Sequence, residues 1–143
     1  MRYRDSRIAV LIGWLAALSW TLLVVISLLK PGKENLATEY SMAAFFTSFF
    51  SYPLSGWDVI EAIYHILLFV ILTAIWFWLC GFYFNDRKAL LIALGIALAL
   101  GTTTEISQYF VYRGSRLFDL LANYLGIALF VFYERQSARF KAG

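Results

Sequence analysis

The run from Ile8 to Leu29 constrains this chain most, because it carries no charged side chain. About 20 apolar residues let an α-helix cross a hydrocarbon core of about 30 Å. In lipid every backbone N–H and C=O must be satisfied within the segment, so such a run folds as a helix. Three more runs follow, at about 59–84, 89–111 and 117–133, and Asn85-Asp86-Arg87-Lys88 separates the first two of them. Composition excludes the soluble alternative. The 143 residues are 62% hydrophobic and 15% charged, against about 45–50% apolar and about 25% charged in ordinary globular chains. A small soluble domain exposes too much of its surface to hide that excess. The expectation is an all-α polytopic membrane protein, a four-transmembrane-helix bundle forming a single domain over residues 1–143.

Arg2, Arg4 and Arg7 before the first run resemble the basic start of a signal peptide. Signal cores are shorter, about 7–15 residues, and no clear small-residue cleavage site follows, so the run is read as a retained helix. Lys30-Pro31-Gly32-Lys33 ends it by turn chemistry. The mixed stretch 34–57 then holds Phe45, Phe46, Phe49 and Phe50 at helical spacing, with Thr47, Ser48 and Ser51 between them. That pattern predicts an interfacial helix between spans one and two, ended near Pro53.

Lysine and arginine set the orientation. Arg2, Arg4 and Arg7, the Arg87-Lys88 pair, and Arg135, Arg139 and Lys141 all fall on one side of a four-span topology. That side is expected to be cytoplasmic, with both termini, in a bacterial plasma membrane. The opposite loops hold Lys30, Lys33, Arg113 and Arg116, offset in part by Glu34, Glu39 and Asp58. Membrane lipids are the expected partners, and the basic tail suits anionic lipid. The net charge of +3 comes with no basic cluster interleaved with stacking rings, so no nucleic-acid partner is expected. A lone cysteine, Cys80, forms no internal disulfide and gives no metal-type spacing.

On this topology the intramembrane polar residues gather at one level. Glu61 and His65 fall near the outer end of span two, Glu105 and Gln108 near that of span three, and Asp119 and Asn123 near that of span four. At 1.5 Å per residue, His65, Glu105 and Asn123 each lie roughly 10 Å from their helix ends. Within each helix the pair is three or four residues apart and so shares a face, and Gly126 continues the stripe of Asp119 and Asn123. Ala93, Ala97 and Gly101 form a small-residue ridge leading to Glu105, and membrane helices approach closely along such ridges. Glu105 is therefore expected to face the bundle interior. A lipid-facing acid would cost about 2.5–3.5 kcal/mol on insertion scales. Arg113 is a natural partner for Glu105 or Asp119.

The candidate binding residues are Glu61, His65, Glu105, Gln108, Arg113, Asp119 and Asn123. A structural reading stands beside the functional one: Glu105, Arg113 and Asp119 as an ion-pair network fixing helix registry. Glu61, His65, Glu105 and Asp119 are suitable metal-ligand types without diagnostic spacing, so neither metal nor cofactor is expected. Cys80 lies about 22 Å from His65 along the same helix, too far for a Cys-His dyad. No Gly-rich phosphate loop or serine-nucleophile motif occurs.

At these residues the sequence resembles the VanZ-like family of small bacterial membrane proteins. One block is Glu61-Ala62-Ile63-Tyr64-His65, similar to the family's acid four residues before a histidine. The other is Glu105, Gln108, Arg113, Asp119, Asn123 and Gly126, whose gaps match the family's Glu-x-x-Gln, Arg, Asp, Asn, Gly pattern. The chain departs from the pattern at Glu61 and Ala62, where the family usually has Asp and Lys, and at Arg116, where it often has an acid. The resemblance implies a context, the cell envelope and resistance to the glycopeptide teicoplanin, rather than a reaction.

Three functional readings follow. In the first, which leans away from an enzyme, an outer-leaflet polar pocket binds a lipid-linked cell-wall intermediate or an amphiphilic glycopeptide. In the second, a membrane enzyme modifies a lipid headgroup, with Glu105 or Asp119 as general base and His65 as acid or ligand. In the third, the chain is a small proton-coupled transporter, for which four spans suggest a homo-oligomer.

Overall fold

The computed structural model describes residues 7–29, 56–110 and 117–142. Four helices make up nearly all of them: α1 (Arg7–Leu28), α2 (Gly56–Cys80), α3 (Asp86–Phe110) and α4 (Leu117–Ala142). Each is long and apolar enough to cross a membrane, so the chain is a multi-pass membrane protein with an all-α four-helix architecture. The interfacial helix expected within 34–57 lies outside the described residues, apart from Gly56 and Trp57, which already belong to α2.

The helix ends differ from the hydrophobic limits for local reasons. Span two closes at Cys80 rather than at residue 84, because residues 81–84 form a turn in which Phe84 N–H donates to the Cys80 carbonyl at 2.9 Å. α3 begins at Asp86, three residues before its first apolar residue. Asn85 caps it, with Oδ1 accepting the Lys88 N–H at 3.0 Å. α4 runs on through the basic tail to Ala142, well past the apolar limit at residue 133. Hydrophobicity marks where lipid ends, not where helical hydrogen bonding does.

α2 is the hub and packs against each of the other three helices, most extensively against α4. The links α2–α3 and α3–α4 are short, so α3 runs antiparallel to both α2 and α4. Three glycines show how the packing is achieved. A Cβ on Gly13 of α1 would stand 3.1 Å from Leu79 Cδ1, and one on Gly101 of α3 would stand 3.2 Å from the Phe69 ring. At Gly126 of α4 a Cβ would fall 2.5 Å from the Ile66 carbonyl oxygen, so α4 rides on the backbone of α2. The ridge Ala93, Ala97 and Gly101 is buried along α3. Val24, Leu28, Leu68, Phe69, Leu72, Ala97 and Ile127 form the apolar core. Large exposed apolar side chains, among them Leu15, Leu18, Leu22, Leu67 and Leu91, form the outer surface that lipid chains would cover.

Several polar groups within the spans are satisfied by neighbouring helices or by their own backbone. Trp20 Nε1 donates to the Leu68 carbonyl at 3.2 Å and Trp76 Nε1 donates to Thr21 Oγ1 at 3.1 Å, tying α1 to α2. Thr73 and Thr104 hydroxyls donate back to carbonyls one turn earlier, Phe69 and Leu100, at 2.7 and 2.8 Å. Such bonds silence a hydroxyl where water is scarce.

Candidate functional site

Helix direction decides which polar residues can meet. α2 and α4 start at the end of the bundle where α3 finishes, so Glu61 and His65, Gln108 and Glu105, and Asp119 and Asn123 descend from that end in matching steps. Two layers result. The inner one holds His65, Glu105 and Asn123, and the outer one holds Glu61, Gln108 and Asp119, one helical turn nearer the end. Phe69 and Leu72, one and two turns further along α2, close the layers off with apolar packing.

The inner layer is connected and buried. His65 Nδ1 and Asn123 Oδ1 are 2.8 Å apart, and Asn123 Nδ2 donates to Glu105 Oε1 over a longer 3.4 Å. His65 Nδ1 lies 3.9 Å from the same carboxylate oxygen. This arrangement fixes the histidine tautomer. An amide that gives its N–H to Glu105 must turn its oxygen toward His65, and an oxygen acceptor requires the hydrogen on Nδ1. Nε2, the other ring nitrogen, is directed away from Asn123. Asn123 thus orients His65, and Glu105 orients Asn123.

The outer layer is different. Gln108 is 1% exposed, yet neither its Nε2 nor its Oε1 has a hydrogen-bond partner among the described residues. Asp119 is buried and Glu61 partly so. Glu61, His65 and Asp119 each place one donor atom within 4.8 Å of the others, a separation a metal ion could bridge. Glu105 is not in that group. Its carboxylate lies against Asn123 Nδ2 and His65 Nδ1, so the four-residue metal set weighed from the sequence reduces to three. Arg113, the proposed partner for Glu105 or Asp119, lies outside the described residues, as does Arg116.

Six of the seven candidate residues are therefore positioned from three helices at one end of the bundle. Sequence reasoning did not single out the pairing of Thr102 Oγ1 with Tyr124 OH at 2.8 Å, which ties α3 to α4 beside the inner layer. Its only signal in the sequence was that each residue adjoins the polar stripe. An open recess lined by Phe77, Trp78, Gly81, Phe82 and Asp86 lies toward the other end of α2 and shares no residue with the polar layers.

No protein-family model matches the chain. No curated protein matches it, and no solved structure does. The fold and the site thus define a class, a four-helix multi-pass membrane protein with a buried polar cluster, and functional argument rests on the chemistry of that cluster.

Proposed function

We propose that this protein resides in the bacterial plasma membrane with both termini cytoplasmic, and that its polar layers take the head of a lipid-linked or amphiphilic envelope molecule. The observation that carries this reading is Gln108, an amide fully buried with neither end hydrogen-bonded among the described residues. Leaving such a group unmet costs about 1–3 kcal/mol. Elsewhere in the spans Trp20, Trp76, Thr73 and Thr104 each have a hydrogen-bond partner. An amide that both donates and accepts, beside two carboxylates and an oriented imidazole, suits a head group carrying hydroxyl, amide or phosphate oxygens. Under the positive-inside reading this end of the bundle faces outward, and Arg113 and Arg116 in the adjoining link suit an anionic head group. The resemblance to the VanZ-like family at Glu61, His65, Glu105, Gln108, Asp119, Asn123 and Gly126 gives the reading its context, altered susceptibility to teicoplanin.

The test is growth under teicoplanin of bacterial cells expressing wild type or Gln108→Leu at equal membrane abundance. Wild type is expected to protect and the variant to lose that protection. Equal growth of the two, or no protection by wild type, counts against the reading.

The orientation of His65 through Asn123 and Glu105 favours a second reading, a membrane enzyme. A base held in one tautomer by a neighbour that is itself oriented is how proton-transferring histidines are positioned. It predicts a chemically altered lipid in extracts of expressing cells, and identical lipid profiles with and without the protein would exclude it in that host.

A further inference from the structure

We propose that Glu61, His65 and Asp119 form an intramembrane site for a divalent transition-metal ion of the Zn2+ type, with Gln108 beside its open position. The inference goes beyond the head-group reading and stands without it, since the ion binds whether or not any amphiphile does.

Four observations carry it. The first is geometry. The three donor atoms lie within 4.8 Å of one another. Donors around a tetrahedral Zn2+ with bonds of about 2.0–2.2 Å stand about 3.3–3.5 Å apart, so shifts of about 1 Å or less close the shell. Glu61 and His65 are one turn apart on α2, and Asp119 comes from α4, which rides on α2 with no side chain between them at Gly126. Metal sites in helix bundles are built from inward carboxylates and histidines on facing helices.

The second is the state of the imidazole. A ligating histidine donates its other ring N–H to an oxygen that fixes its tautomer. Here Nδ1 faces Asn123 Oδ1 at 2.8 Å, and Asn123 is held in turn by Glu105. With Nδ1 so engaged, Nε2 is the nitrogen that would bind a metal, releasing its proton to do so where it carries one. The third is charge. Glu61 and Asp119 would each bring one carboxylate to the ion, and its two positive charges match theirs.

The fourth points to the open position. Gln108 occupies the same layer, is 1% exposed, and has both amide atoms unsatisfied among the described residues. Three protein donors leave a tetrahedral ion one place for water or a ligand oxygen, and the Gln108 amide would hydrogen-bond whatever fills it. One imidazole nitrogen with two carboxylate oxygens suits Zn2+ better than Mg2+ or Ca2+, which prefer six or more oxygens.

The experiment uses the full chain purified in detergent, stripped with chelator, incubated with Zn2+ and desalted, with metal measured by mass spectrometry. Wild type is expected to retain one Zn2+ per chain. His65→Ala and Asp119→Asn should retain at most a tenth of that, and Glu134→Gln, on the distant tail, should retain all of it. Asn123→Leu, which keeps the three donors and removes the orienting amide, should weaken binding by about 10–100-fold. Wild type loaded with Cu2+ supplies a check that needs no variant, since pulsed electron paramagnetic resonance should show coupling to one imidazole nitrogen. The proposal is overturned if wild type retains no Zn2+, if His65→Ala retains as much as wild type, or if bound Cu2+ shows no imidazole coupling.

Discussion

Replacing Gly126 by alanine tests how the bundle holds its polar cluster together. The new Cβ would lie 2.5 Å from the Ile66 carbonyl oxygen, 3.1 Å from Ile66 Cα and 3.2 Å from its carbonyl carbon, all backbone atoms that no rotamer change can move. Ordinary contact begins near 3.4 Å, so α4 must retreat from α2 by about 0.9 Å. Ile66 adjoins His65, and Asn123 lies one turn from Gly126. Rigid helices carry that displacement to the pair. The 2.8 Å contact between His65 Nδ1 and Asn123 Oδ1 would open to about 3.7 Å, beyond hydrogen-bonding range. Overpacking of this kind costs about 1–3 kcal/mol, and the lost hydrogen bond adds about 0.5–1.5 kcal/mol.

The assay is thermal unfolding of the purified protein in detergent, followed by the fluorescence of its tryptophans. Gly95→Ala is the control. It is also a helical glycine on α3, but its added Cβ meets nothing within 4 Å. Alanine there should leave stability unchanged or raise it by about 0.5–1 kcal/mol through helix propensity. Gly126→Ala should unfold several degrees lower, and Gly95→Ala should not. A Gly126→Ala protein as stable as wild type, or equal losses in both, would refute the close approach of α2 and α4.

Two further outcomes follow from the same geometry. Gln108→Leu removes a buried amide that has no partner among the described residues, so it should raise the unfolding temperature, by an amount corresponding to about 1–3 kcal/mol; lower stability would show that the amide has a structural partner. Asn123→Leu strips His65 and Glu105 of their shared neighbour and should destabilise by about 1–3 kcal/mol, while Asn123→Ser, which keeps an acceptor, should recover part of the loss in the same unfolding experiment.

The polar cluster shows how far spacing alone reaches. Residues three or four apart share a helix face whatever surrounds them, so the pairs Glu61 and His65, Glu105 and Gln108, and Asp119 and Asn123 were legible in the sequence. The shared depth was legible too, because at the polar end of the bundle the apolar limits fall within a turn of the helix ends, and short links fix antiparallel order. Rotation about each helix axis was not. A hydrophobic run facing lipid on one side and apolar neighbours on the other is apolar all round, so its pattern does not say which face turns inward. The ridge of Ala93, Ala97 and Gly101 supplied that information for α3 alone.

By itself, then, the sequence determined four spans, their order and the level of their polar residues, because lipid imposes helices on any chain this apolar. Tertiary packing decided that Glu105 meets His65 both through Asn123 and directly at 3.9 Å, that Gln108 is buried with its amide unmet among the described residues, and that Asp119 rather than Glu105 joins Glu61 and His65 in the three-donor group. The reason is physical: those outcomes depend on ångström-scale approach between helices, set where Gly126 lets α4 rest on the backbone of α2, and linear spacing carries no record of that distance.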